Sequence, residues 1–292
     1  MITSARSFLF VPGNRPDRFA KAAASGAHAV ILDLEDAVGP AEKPQARDNV
    51  VAWLRFGGRG IVRINGADTA WFLDDLDAIA GAATDAIMMP KATAQSVGLL
   101  SERLTNVSPV IALIENAEGL CTTSQLAQTR HVVRLAFGNL DFSSDMGIAA
   151  NDDVLDMARF QIALHSRAAG LPAPIDGVST QIDDPVAVEA DVARSRKFGF
   201  SGKLCIHPAQ VKQVNAGFAP SSSEISWARR VILALEHSAG TAVQLDGKMI
   251  DKPLLARAQA ILADWEIQSA AENGIIADRR GSELTDRIIS AE

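Results

Sequence analysis

The sequence predicts an α/β protein: a closed (β/α)8 TIM barrel followed by a C-terminal helical extension. Three observations predict it. Short apolar or β-branched runs alternate with longer amphipathic patterns up to about residue 215, the runs number eight, and nearly every run ends on a polar residue. Near-continuous apolar strands separated by helices imply a parallel sheet covered on both faces. Eight such units favour closure into a barrel over an open doubly wound sheet.

In order, the strand candidates are SFLFVPG, AVILDLED, GIVRING, AIMMPK, PVIALIE, VVRLAFG, APIDGVS and GKLCIHP. All but APIDGVS, which closes on Ser179, combine β-branched or apolar residues with a closing Gly, Pro or charge. The seventh, around Ile175–Ser179, is expected to be short. RPDRFAKAAASG, AEKPQARDNVVAWLR, TAWFLDDLDAIAGA, ATAQSVGLLSERL and NDDVLDMARFQIALHSRAAG supply the intervening helices, rich in Ala, Leu and charge. After Phe218 the pattern changes, which divides the chain into a barrel domain, 1–218, and an extension, 219–292. SSSEISWARRVILALEHSAG reads as a capped helix, TAVQLDGKMID as a hairpin or turn around Asp246-Gly247, and KPLLARAQAILADWEIQ as a final helix. A barrel has no need of this addition, so it is expected to pack over the barrel or on a neighbouring subunit. The last twenty or so residues lack an apolar face and are expected to be mobile.

Composition excludes several function classes. The chain has 292 residues, 48% hydrophobic and 22% charged, with a net charge of -7, which argues against a nucleic-acid surface. No run approaches the roughly 20 apolar residues that span a bilayer. The N-terminus lacks a signal-peptide pattern, so a cytoplasmic protein is expected. Cys121 and Cys205 are the only cysteines; their spacing suggests neither zinc nor a disulfide framework, and both read as small buried hydrophobes.

The strand-end residues converge on one face if the barrel closes, because all strand C-termini open there. Glu115 ends an apolar strand, and a carboxylate in that position needs a partner. Asp141 reads as ending the next strand. Two carboxylates in one mouth repel each other, and a divalent cation or a shared proton relieves this; with no His/Cys cluster nearby, oxygen ligands favour Mg2+. Capping the following helices is the competing role for both acids. Arg63 should point into the mouth, to bind a carboxylate or oxyanion or to pair with the acids of DLEDAV, Asp33, Glu35 and Asp36. Arg15, Arg18 and Lys21 form either a phosphate-attracting group or a solvated helix face. His207 reads as a satisfied loop histidine.

FLFVPGNRPDRF, VILDLEDAV, VRIN, MPKA, ALIE, FGNLDFSSDMG, CIHPAQV and DGKMID occur in this order over about residues 5–265. With them the sequence resembles the citrate lyase β-subunit-like proteins of the HpcH/HpaI aldolase family, the CoA-ester lyases. The resemblance implies a trimer or hexamer whose extension crosses a subunit interface, with Glu115 and Asp141 as Mg2+ ligands and Arg63 binding substrate and enolate. It implies that Asp251 is the acid/base of a neighbouring subunit's site and that Arg15, Arg18 and Lys21 face the CoA phosphates. The implied reaction is cleavage of a 3-hydroxy-acyl-CoA (malyl-, citramalyl- or citryl-CoA type) to acetyl-CoA and a 2-oxo acid. Three alternatives remain open: an aldolase acting on free hydroxy-oxo acids, a citrate lyase β subunit needing an acyl-carrier-protein thioester, and an inactive scaffold. Two departures stand out. Leu140 replaces an acid in Gly138-Asn139-Leu140-Asp141, and Asn116 replaces Thr after the ligand Glu, beside the substrate.

Overall fold

The computed structural model describes residues 2–104, 108–150, 152–237, 242–267 and 269. It divides into two compact units, Met1–Phe218 and Ala219–Glu292.

In the first unit the chain alternates β1 (Ser7–Pro12), α1 (Phe19–Ala23), β2 (Ala29–Asp33), α2 (Lys43–Arg55), β3 (Ile61–Arg63), α3 (Phe72–Ile79), β4 (Ala86–Met89) and α4 (Ala94–Arg103). It continues through β5 (Val110–Ile114), the short α5 (Ala117–Cys121) and α6 (Thr123–Leu126), β6 (Val132–Phe137), α7 (Asn139–Met146) and α8 (Asp152–Ala168). β7 (Ile175–Asp176), α9 (Pro185–Lys197), β8 (Gly202–Cys205) and α10 (Val211–Phe218) complete it. The eight strands pair in sequence order, all parallel, and β8 closes on β1. The predicted TIM barrel is the observed fold.

Two apolar layers follow from the alternation of side chains along each strand. Phe8, Ile31, Ile61, Met88, Ile111, Leu113, Ala136, Ile175 and Leu204 form one buried cluster, the barrel interior. The residues between them, including Leu9, Leu32, Val62, Ile87, Ala112, Leu135 and Cys205, belong to the larger cluster beneath the helices. Two residues beyond Ile31, Ile61 and Leu113 come Asp33, Arg63 and Glu115. Parity therefore sends all three into the interior at the C-terminal ends of their strands.

β7 is only two residues long. Pro174 removes a ladder donor just before it and Gly177 follows it. Side chains compensate: buried Asp176 receives Arg159 Nε at 3.1 Å, has Lys203 Nζ at 3.7 Å, and is hydrogen-bonded by Ser195. Burial pushes this carboxyl up, yet Lys203, Arg159 and Ser195 together hold it below the usual carboxylate range. At the opposite end of the barrel, fully buried Arg134 donates to the carbonyls of Ile2, Ala5 and Ala173 and to Ser201 Oγ, at 2.7–2.9 Å. Its guanidinium lies 5.3 Å over the Phe8 ring. With no carboxylate among these partners, burial lowers it to about 9.

In the second unit, α11 (Ser222–His237) is capped reciprocally: Ser221 Oγ accepts the Glu224 N–H at 3.2 Å, and Glu224 Oε2 accepts the Ser221 N–H at 2.8 Å. A hairpin of β9 (Val243–Leu245) and β10 (Lys248–Ile250) follows. Asp246 and Gly247, at φ 51° and 74°, make the left-handed turn such two-residue connections need. A helix over 252–267 brings Trp265 under Arg229 and Arg257 over Trp227, at 5.0 and 5.4 Å. The segment expected to be mobile lies outside the described residues. Among the described residues no helix is long and apolar enough to cross a membrane.

One expectation is corrected. Cys205 is buried, but Cys121 is exposed, because α5 ends on it and turns that face outward. Burial pushes the Cys205 thiol up to about 12. A maleimide or disulfide reagent should therefore label one thiol, Cys121, in the native protein and a second only after unfolding, as counted by intact mass.

Candidate active site

The strand-end side chains do meet. Arg63, nearly buried, points its fork at Asp33: Nε to Oδ1 at 2.7 Å and Nη2 to Oδ2 at 2.6 Å. Nη1 lies 3.0 Å from Glu35 Oε2, in ion-pair contact without a well-aligned hydrogen bond, and 3.4 Å from Asp36. The Phe10 ring lies under the guanidinium, 4.7 Å from centroid to Cζ. Burial alone would lower Arg63, but Asp33 and then Glu35 and Asp36 raise it well above its usual value. Its charge is therefore permanent.

The loop carrying these acids is fixed from behind. The Glu35 and Ala37 N–H groups donate to Asp33 at 2.9 and 3.2 Å. Buried Lys43 donates to the carbonyls of Leu34 and Glu35 at 2.9 and 3.0 Å and lies over the Trp71 ring. Asn65 donates to the Leu34 carbonyl at 3.0 Å, and Asp75 accepts from Asn65 and from Arg47. Lys43 and Asp75 escaped the sequence reading because a charge within a helical pattern looks like any solvated one. Only burial distinguishes them.

Glu115 is also buried. Its Oε1 accepts the Lys91 N–H at 2.8 Å, while its Oε2 is enclosed without a hydrogen-bond partner among the described residues. Lys91 holds φ 44°, a left-handed backbone that a non-glycine residue adopts at a cost. Gly138 lies on the other side of Glu115. A Cβ there would meet Glu115 Cβ at 2.6 Å and Oε2 at 2.8 Å, so only glycine lets the carboxylate lie over the end of β6. Burial first, then the charge of Asp141, pushes Glu115 up to about 7. Glu35 is pushed up to about 8, chiefly by burial and against the pull of Arg63.

Asp141 does not end β6, as the sequence suggested. The strand stops at Phe137, Gly138 opens α7, and Asp141 sits in the first helical turn, exposed at the mouth. Partial desolvation there, then Asp36, raises it against Arg63 and Lys91. Helix capping is not what occupies the two acids. Asn116 caps α5 by accepting the Gly119 N–H at 2.8 Å, and α7 has no side-chain cap. Buried Asn139 clasps Val178, accepting its N–H at 2.9 Å and donating to its carbonyl at 3.2 Å. Leu140 is exposed.

The remaining candidates have contacts of their own. Arg15 makes a bidentate pair with Asp17 at 3.0 and 2.8 Å, while Arg18 and Lys21 are exposed. His207 caps a short 3-10 turn through the Ala209 N–H. Asp251 belongs to the second unit, half-buried, where its carbonyl accepts the Leu255 N–H as the helix over 252–267 begins.

Among the described residues no group of three or more His, Cys, Asp or Glu is arranged to hold a metal. Zinc is a poor match. The orphaned Glu115 oxygen beside Asp141 fits an oxygen-seeking cation that takes two protein carboxylates and leaves most of its octahedron to water and ligand oxygens, as Mg2+ does. Asp33, Glu35, Asp36, Glu115 and Asp141 together exceed what Arg63 can keep ionised, as the raised Glu35 and Glu115 show, and a divalent cation would offset this.

A closed (β/α)8 barrel with acids and a buried arginine gathered at its C-terminal mouth is the arrangement of a TIM-barrel enzyme. Residues 6–208 match the family model described as HpcH/HpaI aldolase/citrate lyase. The (3S)-malyl-CoA thioesterase of Cereibacter sphaeroides (strain ATCC 17025 / ATH 2.4.3) is 36% identical over 276 residues, 91% of this chain and 96% of that protein. A citrate lyase subunit beta-like protein of Mycobacterium tuberculosis is 36% identical over 263 residues, covering 87% and 93%. The crystal structure of CitE from M. tuberculosis in complex with magnesium, acetoacetate and coenzyme A superposes with a TM-score of 0.80 at 35% identity, over 90% of this chain and 98% of that one. The citrate lyase beta subunit of that organism complexed with oxaloacetate and magnesium gives 0.68 at 36%, over 75% and 99%. The chain belongs to the HpcH/HpaI aldolase/citrate lyase family.

Replacing Arg63 by Met should destabilise the protein by about 3–5 kcal/mol in urea unfolding, because Asp33 and Glu35 are left buried without their cation.

Proposed function

We propose that this protein cleaves a 3-hydroxy-acyl-CoA reversibly into acetyl-CoA and a 2-oxo acid, with Mg2+ held by Glu115 and Asp141. The observation that carries this reading is the buried, unpartnered Glu115 oxygen within a mouth that also presents Arg63. When bound, Mg2+ would supply Lewis acidity and hold the carboxylate and adjacent oxygen of the oxo-acid half. Arg63 meets the negative charge that develops on the thioester oxygen as the C–C bond breaks. Asp33, Glu35 and Asp36 occupy most of its five donors, so only an Nη hydrogen or two remain for substrate, and the fork cannot swing away. Asp251 takes the hydroxyl proton of the substrate as the C–C bond breaks and delivers it to the enolate carbon; in the synthetic direction it removes that carbon's proton and returns it to the new hydroxyl oxygen.

Asp251 acts in this reading on a neighbouring subunit, in a homotrimer or homohexamer whose extensions pack across the interface. Arg15, Arg18 and Lys21 attract the CoA phosphates. Asn116 lies beside Glu115 with its Oδ1 committed to the α5 cap, which leaves only its amide N–H groups for a substrate oxygen. A CoA thioester as substrate supports a cytoplasmic location. The relative named (3S)-malyl-CoA thioesterase supports a second reading, hydrolysis of the same thioester to a hydroxy acid and free CoA.

Incubation with Mg2+ and a panel of malyl-, citramalyl- and citryl-CoA, with products identified by mass, tests both. Acetyl-CoA with an oxo acid is expected; free CoA with an intact hydroxy acid selects hydrolysis, and no turnover of any member rejects both.

Glu115→Gln and Asp141→Asn should each lower Mg2+ affinity at least 10-fold by calorimetry and abolish Mg2+-dependent cleavage, with Tm within a few degrees of the parent. Unchanged affinity in either variant removes that residue from the metal site. Mixing inactive Asp251→Asn with inactive Glu115→Gln subunits should restore part of the activity after subunit exchange. Absence of rescue, with exchange verified by native mass spectrometry, rejects action across subunits.

A further inference from the structure

Two cations near the mouth are already committed. Arg63 has most of its donors engaged by Asp33, Glu35 and Asp36, and buried Lys43 gives its ammonium to the carbonyls of Leu34 and Glu35. Lys91 is different. It follows β4 at the open end of the barrel and is exposed, and among the described residues its ammonium has neither a hydrogen bond nor an ion pair.

A solvated lysine is ordinary; the backbone of this one is not. Lys91 sits at φ 44°, and its main-chain N–H donates to Glu115 Oε1 at 2.8 Å. Left-handed backbone is costly for a residue with a Cβ and free for glycine. Glycine at this position would give Glu115 the same N–H without that cost, so the hydrogen bond does not account for a lysine. What glycine would lack is the ammonium. The bond to Glu115 also fixes where the side chain starts, since β4 pairs with β5, the strand that Glu115 follows. The Lys91 charge reaches Asp141 as well, where it works against the upward push of burial.

We propose that Lys91 is a substrate-binding residue, its ammonium pairing with the carboxylate of the oxo-acid half beside Glu115 and Asp141. The assignment rests on the reaction proposed above, in which those two acids hold Mg2+ and the substrate is a 3-hydroxy-acyl-CoA. It divides the substrate between two cations: Arg63 serves the thioester oxygen, and Lys91 serves the carboxylate that leaves with the oxo acid. A compact charge on a flexible stem suits a group that must be released after each turnover. Acetyl-CoA carries no such carboxylate, so Lys91 governs affinity for the oxo acid alone.

Three variants separate the ammonium from the backbone. Lys91→Gly keeps the N–H to Glu115 and removes both the ammonium and the strain, Lys91→Met removes only the ammonium, and Lys91→Arg keeps a cation. The synthetic reaction is run with Mg2+, acetyl-CoA and each of glyoxylate, pyruvate and oxaloacetate, the oxo acids of malyl-, citramalyl- and citryl-CoA. KM for the oxo acid should rise about 10-fold or more in the Gly and Met variants, as for loss of one hydrogen bond to a charged group. KM for acetyl-CoA should not move. Calorimetric binding of the same oxo acids at saturating Mg2+ should weaken in parallel, and Lys91→Arg should recover most of it. Mg2+ affinity should equal or exceed the parent's, because a cation beside the site is gone, and the Tm of Lys91→Gly should not fall below the parent's.

Unchanged oxo-acid affinity in Lys91→Gly and Lys91→Met overturns the proposal. So does a loss in Lys91→Gly that Lys91→Met does not share, which assigns the effect to the backbone. Mg2+ affinity falling with oxo-acid affinity overturns it too, since Lys91 would then act through Glu115. A parent that cleaves CoA esters while its Lys91 variants bind oxo acids normally leaves the reaction standing and removes Lys91. A parent that binds oxo acids through Lys91 but cleaves no CoA ester does the reverse, and one that binds none of the three oxo acids removes both.

Discussion

The mouth of this barrel is organised by one buried cation among too many acids. Arg63 can enter a low-dielectric site only if its charge is met, and Asp33 meets it with two aligned hydrogen bonds of 2.7 and 2.6 Å. Asp33 is in turn fixed by the N–H groups of Glu35 and Ala37, so the arginine and the loop set each other's position. Lys43, Asn65 and Asp75 hold that loop from behind through its carbonyls. Glu35 and Asp36 add carboxyl groups beyond the one that Arg63 pairs fully, and Glu115 and Asp141 add more. Burial and mutual repulsion push Glu35 and Glu115 up, so the folded site holds more acid than it can keep ionised without a further cation.

Glu115 shows how that surplus is given direction. Its carboxylate is held by the N–H of Lys91, whose backbone is left-handed, and by the missing side chain of Gly138. One oxygen is thereby satisfied and the other is enclosed and left without a partner. A buried acceptor in this state costs on the order of 1–3 kcal/mol. The left-handed turn at Lys91 adds a further cost that a glycine at that position would remove. Both become intelligible if the free oxygen is a ligand, since a pre-aimed carboxylate loses little freedom when a cation arrives.

The barrel was legible in the sequence because strand parity and strand ends write themselves into residue order. Ile31 and Asp33, Ile61 and Arg63, Leu113 and Glu115 are pairs two apart, and each carries its polar member into the mouth. β7 was legible only as a short run, since Pro174 and Gly177 leave two paired residues and its stability comes from the Asp176 cluster. Lys43 and Asp75 were invisible: burial by distant segments, not local pattern, makes them structural. Asp141 was placed on a strand end because the helical turn that carries it, Asn139-Leu140-Asp141, has no cap residue to announce it. Cys121 was assigned to the core on the base tendency of cysteine, and the end of a five-residue helix overrode that tendency.

The two buried arginines of the barrel interior separate stability from function. Arg134, at the closed end, directs its donors to three carbonyls and a hydroxyl, all neutral, and ties residues 2–5 to β6 and to the approaches of β7 and β8. Nothing there can be displaced by a ligand without leaving backbone acceptors bare, so that end is a plug. Arg63, at the open end, is held by carboxylates, and its pKa is raised where that of Arg134 is lowered. The cation at the plug is neutralised by no acid, and the one at the mouth by more acid than it needs. Only the second imbalance can be corrected by something from solution, because it lies where the strands open. The chemistry of the fold is therefore confined to one end by electrostatics as well as by topology.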